Sequence, residues 1–136
     1  MGKAIGIGGI FIKYRDPKAM MQWFEMALGL QANDYGVLFA FNTRQSDPPG
    51  CLQLGTFPNT TKYFGNDVQQ YMLNFRVEDL DGLHAHLTSL GVTICDEIEA
   101  YEYGRFLHIE DPEGNRIELW EPIDGPFEAE TQVEMR

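Results

Sequence analysis

The chain says the same thing twice. Residues Ile10 to Leu30, "IFIKYRDPKAMMQWFEMALGL", and Leu73 to Val92, "LNFRVEDLDGLHAHLTSLGV", both pass from an alternating apolar stretch through an acidic residue into a helical stretch that closes on Leu-Gly. Asp16 and Asp79 lie 63 positions apart and Gly29 and Gly91 lie 62 apart, so the register hardly drifts. An internal period of this length constrains the fold more than composition can, because one supersecondary unit is being built twice. Each Asp is placed to cap a helix by accepting from its first free N–H groups, and Pro17 suits the first helical position of the first copy. Gly29 and Gly91 then end the two helices, since Gly tolerates the left-handed cap.

After each helix the periodicity switches to extended segments: Gln31 to Tyr35, Val37 to Asn42 and Cys51 to Phe57 in the first copy, Thr93 to Ile98, Arg105 to Glu110 and Arg116 to Glu121 in the second. The order strand, helix, strand, strand, strand thus occurs twice. This predicts an α+β domain over 1–136 made of two βαβββ modules, at about 4–60 and 68–122, with an acidic tail at 123–136. The periods place Ile10, Ile12, Phe24, Leu28, Leu73, Phe75, Leu87, Ile117 and Leu119 in the core. At 136 residues, 43% of them hydrophobic, a chain can bury such a core without staples.

Charge narrows the function classes. Ten Lys and Arg against 21 Asp and Glu leave a net charge of −11, which repels phosphate backbones and anionic lipid, so neither nucleic acid nor membrane is an expected partner. Cys51 and Cys95 stand far apart with no metal-ligand spacing and read as thiols of a reducing compartment, which predicts a cytoplasmic protein.

Near the end, "RFLHIEDPEGNRIELW" alternates into an Asp-Pro-Glu-Gly-Asn turn and out again. Gly114 is expected at positive φ there, and Glu118 faces away from its neighbours Ile117 and Leu119. The repeat, the Asp-capped helix closing on Leu-Gly and the "DPEGNRIELWEP" ending resemble the vicinal oxygen chelate superfamily, which includes glyoxalase I, bleomycin-resistance proteins and extradiol dioxygenases. The likeness covers about residues 4 to 122. It implies that the two modules form a half-open, eight-stranded mixed barrel around a cup, and that the cup holds a divalent metal in the enzymatic members. The family's ligand positions fall on Gly9, Gln53, Met72 and Glu118.

Alternation assigns the cup face independently. Gly9, Phe11 and Lys13 share one side of the first strand, and Met72, Asn74 and Arg76 share the matching side of its twin. With Gln53, His108, Glu118 and Trp120 from the later strands and Tyr101 and Tyr103 from "EAYEYGR", they form the candidate site. Glu118 is the candidate catalytic group. Among the metal positions it alone is a typical ligand, since an amide, a thioether and a glycine hold a hard divalent ion poorly. The expectation is therefore no resident metal or other cofactor, and Glu118 neutralised by Arg76, Lys13 or a proton. His84 and His86, two apart on a helix, do not face one another and are read as surface histidines.

The leading functional reading is a cup for a small organic ligand, anionic because Lys13 and Arg76 point inward, and partly aromatic. A divalent-metal-dependent lyase, isomerase or dioxygenase using Gln53, His108 and Glu118 competes with it, as does a drug-sequestering binding protein. Unpaired strand edges suggest a homodimer.

Overall fold

A computed structural model describes residues 2–41 and 50–122. Strand β1 (Lys3–Tyr14) feeds helix α1 (Pro17–Leu28), which is followed by β2 (Ala32–Asn33), β3 (Gly36–Phe41) and β4 (Gly50–Pro58). The pattern then repeats as β5 (Tyr71–Glu78), α2 (Leu80–Ser89), β6 (Glu99–Tyr101), β7 (Gly104–Glu110) and β8 (Arg116–Pro122). The eight strands form one mixed sheet in the order β2-β3-β4-β1-β5-β8-β7-β6, which does not close on itself. Its two parallel pairs, β1 with β4 and β5 with β8, are the same junction in each module, and β1 and β5 join the modules antiparallel. The two sheet edges are only two and three residues long, which limits the unpaired backbone they offer.

Local chemistry sets the element ends as the repeat predicts. The Asp16 carboxylate accepts from the Ala19 N–H at 3.0 Å, that of Asp79 accepts from the Gly82 N–H at 3.1 Å, and Gly29 ends α1 in the left-handed region at φ 71°. Between β7 and β8, Gly114 sits at φ 85°, and the Asp111 carboxylate accepts from the N–H groups of Glu113 and Asn115, both at 2.9 Å.

Two predicted strands differ. The first, at 31–35, shrinks to Ala32–Asn33 because the Asn33 side chain accepts from the Tyr35 N–H at 2.8 Å and turns the chain. The second, at 93–98, is no strand beyond a single bridge between Ile94 and Ile109, and the edge strand begins at Glu99 instead. There the Asp96 carboxylate takes the His108 N–H at 2.8 Å, so a side chain does the work of a backbone carbonyl and the ladder stops. The predicted end of the third strand at Asn42 and the acidic tail lie outside the described residues.

The main core belongs to module two. Val77 of β5, Leu80 and Leu83 of α2, Leu107 and Ile109 of β7 and Leu119 of β8 pack together, with Phe75, Leu87 and Ile117 half-buried against them. Phe24 is buried as expected, and Ile10 and Ile12 are half-buried. Leu28 and Leu73, expected inside, are 60% and 40% exposed. Helix α1 lies nearest β4 and β2 and not β5, the strand that carries Leu73. Leu28, in the last turn of α1, lies past the turn that Phe24 anchors.

Candidate functional site

Strand register assembles the base of the cup. Gly9 pairs with Gln53 on one side and Asn74 on the other, and Asn74 pairs with Glu118. The two modules are therefore superposed 65 positions apart at this point, Gly9 with Asn74 and Gln53 with Glu118, and not 63 as at the capping Asp residues. Strand β1 runs two residues further past the site before its Asp than β5 does. Met72, predicted here, consequently lies across from Phe11, fully buried in an apolar cluster with Phe11 and Phe64. Asn74 has its place.

Glu118 is 2% exposed and held from three sides. Its Oε1 accepts from the Asn74 Nδ2 at 2.6 Å, and its Oε2 accepts from the Tyr63 hydroxyl and from the His108 Nε2 at 2.9 Å. Behind it the His108 Nδ1 lies 2.6 Å from the Asp96 Oδ2. With a carboxylate oxygen at each ring nitrogen, the imidazole is best satisfied as a cation donating to both. Burial works against that charge, but hydrogen bonds to Glu118 and Asp96, and their charges, outweigh it and raise the His108 pKa. Tyr63 is its opposite: burial first, then the charge and hydrogen bond of Glu118, push its phenol up, so it stays a neutral donor.

At Glu118, where Lys13, Arg76 or a proton was expected, the structure places the His108 ring nitrogen. Lys13 is buried, but its ammonium donates to the Asn66 carbonyl at 3.2 Å and lies over the Phe64 ring. Arg76 lies over Trp120, 5.1 Å from the ring centre, with a nitrogen 3.6 Å from the Cys51 Sγ.

Above this base opens a cavity of about 670 Å³. Of the residues predicted for it, Phe11, Gln53, Asn74, Tyr103, Glu118 and Trp120 line the wall, whereas Lys13, Met72, Arg76, Tyr101 and His108 do not. Tyr101 is half-exposed at the rim, stacked on Tyr103 and bonded to Glu99. Sequence reasoning left Gly8, Asn33, Asp34, Tyr35, Leu38, Gly55, Thr56, Glu102 and Phe106 off the wall. Phe57 and Tyr63 were legible only as loop aromatics near the mouth; they stack face to face at 5.7 Å, and Tyr63 meets the His108 ring edge-on. Asp96 carried no signal, because its partner His108 is reached only across an irregular segment.

The cavity floor is glycine for a steric reason. A Cβ on Gly8 would sit 2.3 Å from the Asn74 Oδ1, and one on Gly55 would sit 2.8 Å from the Phe11 ring. The Asn74 Oδ1 and the Gln53 Nε2 are buried there without a hydrogen-bond partner. Native proteins seldom leave such atoms unsatisfied, which marks the base as polar and incompletely paired.

An open eight-stranded cup built from paired βαβββ units defines a class of small-molecule sites. The chain belongs to the Glyoxalase/Bleomycin resistance protein/Dioxygenase superfamily, whose model matches residues 6–119. No curated protein matches the sequence. Among solved structures, the methylmalonyl-CoA epimerase of Streptomyces coelicolor in complex with 2-nitronate-propionyl-CoA superposes with TM-score 0.66 at 16% identity, covering 88% of this chain and 99% of that one. The methylmalonyl-CoA epimerase of Mycobacterium tuberculosis gives 0.58 at 21% identity, covering 93% of each. A superfamily member from Vibrio splendidus 12B01 gives 0.51 at 9%, covering 89% of this chain and 99% of that one. At these identities the likeness is one of fold.

The superfamily commonly holds a divalent metal in its cup, and the donors present here do not fit one. The family positions Gly9, Gln53, Met72 and Glu118, with Asn74 paired to Glu118, amount to one carboxylate, two amides, a thioether and no side chain. Glu118 is the one strong ligand among them, and in the set Gln53, His108, Glu118 both His108 ring nitrogens face carboxylate oxygens. Among the described residues no group of three or more His, Cys, Asp or Glu is arranged to hold a metal ion. None of their helices is long and apolar enough to cross a membrane.

Proposed function

We propose that the cup binds a small organic molecule with an aromatic body and does so without a metal. The observation that carries the reading is the wall itself: Phe11, Phe57, Tyr63, Tyr103, Phe106 and Trp120 surround a base whose polar atoms are partly unpaired. Apolar and aromatic walls with a few convergent polar groups are what small-molecule sites are made of. The cavity volume is that of a drug-sized ligand. Glu118 acts in this reading as an anchor whose orientation Asn74 and His108 hold.

The anionic ligand expected from Lys13 and Arg76 is set aside, because neither cation lines the cavity. Metal-dependent lyase, isomerase or dioxygenase chemistry is set aside for want of donors. Ligand-observed NMR with a panel of small aromatic compounds tests the proposal. Saturation transfer to several of them, abolished by filling the cup with Gly55→Trp, is the expected result. No transfer from folded wild-type protein to any of them would end it.

A further inference from the structure

The charges on the cavity wall all have one sign. Asp34, Glu102 and Glu118 line it, and among the described residues no Lys or Arg does. A cluster of carboxylates alone is commonplace in a chain of net charge −11. What sets this one apart is Asn74, 2% exposed, at the cavity base. Its Nδ2 is committed to the Glu118 Oε1 at 2.6 Å, which fixes how the amide is turned and leaves its Oδ1 as a buried acceptor with no donor.

We propose that the ligand carries a protonated nitrogen beside its aromatic body, and that Glu118 and Asn74 receive that nitrogen at the base of the cup. The inference rests on the aromatic-cup reading above and specifies the charge of its ligand. An ammonium is all donor and no acceptor, which matches a base presenting a carboxylate and a free amide oxygen. Aromatic rings around it favour a cation through their quadrupoles, and Phe57 and Tyr103 line the cup. The exposed carboxylates of Asp34 and Glu102 at the rim add an attraction that salt weakens.

Room at Glu118 comes from Tyr63. Of the three donors on that carboxylate, Asn74 and His108 stand on strands β5 and β7, whereas Tyr63 stands on the segment between β4 and β5. A ligand N–H takes the place of the Tyr63 hydroxyl on Oε2, and the phenol swings aside to cover the bound ring. The Gln53 amide, also without a partner for its nitrogen, offers its oxygen to the same ligand by a half turn.

Isothermal calorimetry at neutral pH and low salt, with three probes of one size, tests this: phenethylammonium, phenethyl alcohol and hydrocinnamate. The expected result is phenethylammonium bound at least about tenfold tighter than the alcohol, no binding of hydrocinnamate, and a preference that shrinks as sodium chloride is added. Glu118→Gln removes the preference, bringing phenethylammonium to the affinity of the alcohol. If that variant does not fold, Asp34→Asn with Glu102→Gln, both at exposed positions, lowers the preference instead. Equal affinity for ammonium and alcohol, or tightest binding of hydrocinnamate, overturns the charge inference and leaves the aromatic cup standing. Binding of none of the three overturns both.

Discussion

The two modules share a plan and divide the labour. Module two packs α2 onto its own strands through Leu80 and Leu83, and its half of the cup base is Asn74 and Glu118, wired through His108 to Asp96. Module one buries only Phe24 of α1, leaves Trp23, Met26 and Leu28 47%, 80% and 60% exposed, and offers Gly9 and Gln53 at the equivalent positions. A buried charged pair depends on partners held in place, and the β7–β8 register holds His108 opposite Glu118. Module one supplies the space: glycine floor, aromatic wall and the segment that carries Tyr63.

This division predicts unequal responses to mutation. Leu107→Ala, which empties a fully buried position in the module-two core, should cost about 2–5 kcal/mol, whereas Met26→Ala on α1 should stay within about 0.5 kcal/mol. Urea unfolding of the two variants checks it, and similar losses would mean that α1 packs as tightly as α2.

His108→Gln should come next, at about 1–3 kcal/mol, because Glu118 and Asp96 lose their shared donor. The pH dependence sharpens the test. The folded protein holds the His108 proton more tightly than the unfolded chain, whose histidines titrate near about 6.5. The stabilisation is complete below that pH and is lost as pH rises through the raised folded value. Groups facing the ring are Asp96, Glu118 on β8 and Tyr63, and only the two carboxylates pull the proton in. Wild-type stability should therefore fall more than that of His108→Gln between mildly acidic and mildly alkaline pH; parallel curves would show that the ring carries no charge.

The smallest effect is local. Gly114→Val puts a β-branched side chain at φ 85° in the β7–β8 turn and should cost about 1 kcal/mol or more, read as a lowered urea midpoint. An unchanged midpoint would show that the turn relaxes without loss.

Several of these features were legible in the sequence. The repeat, the Asp caps, the Gly114 turn and the inward aim of Glu118 each depend on residues close in the chain, where periodicity and turn chemistry act directly. Alternation also assigned Phe11, Gln53, Asn74 and Trp120 to the cup face, and all four line the cavity. Tertiary structure decided which of the facing residues meet. A shift of two positions between strand register and helix cap exchanged Met72 for Asn74 beside Glu118, and alternation cannot detect it because two residues preserve the face. The same holds for charge. Lys13 and Arg76 alternate with the cup face, yet their long side chains end at the Asn66 carbonyl and over Trp120 instead of on the cavity wall. His108 neutralises Glu118 because the β7–β8 register sets them directly opposite, and Asp96 completes the chain from a segment whose backbone pairing its own side chain replaces. Local sequence determines where a side chain can point; what it touches depends on strands brought together across the whole fold.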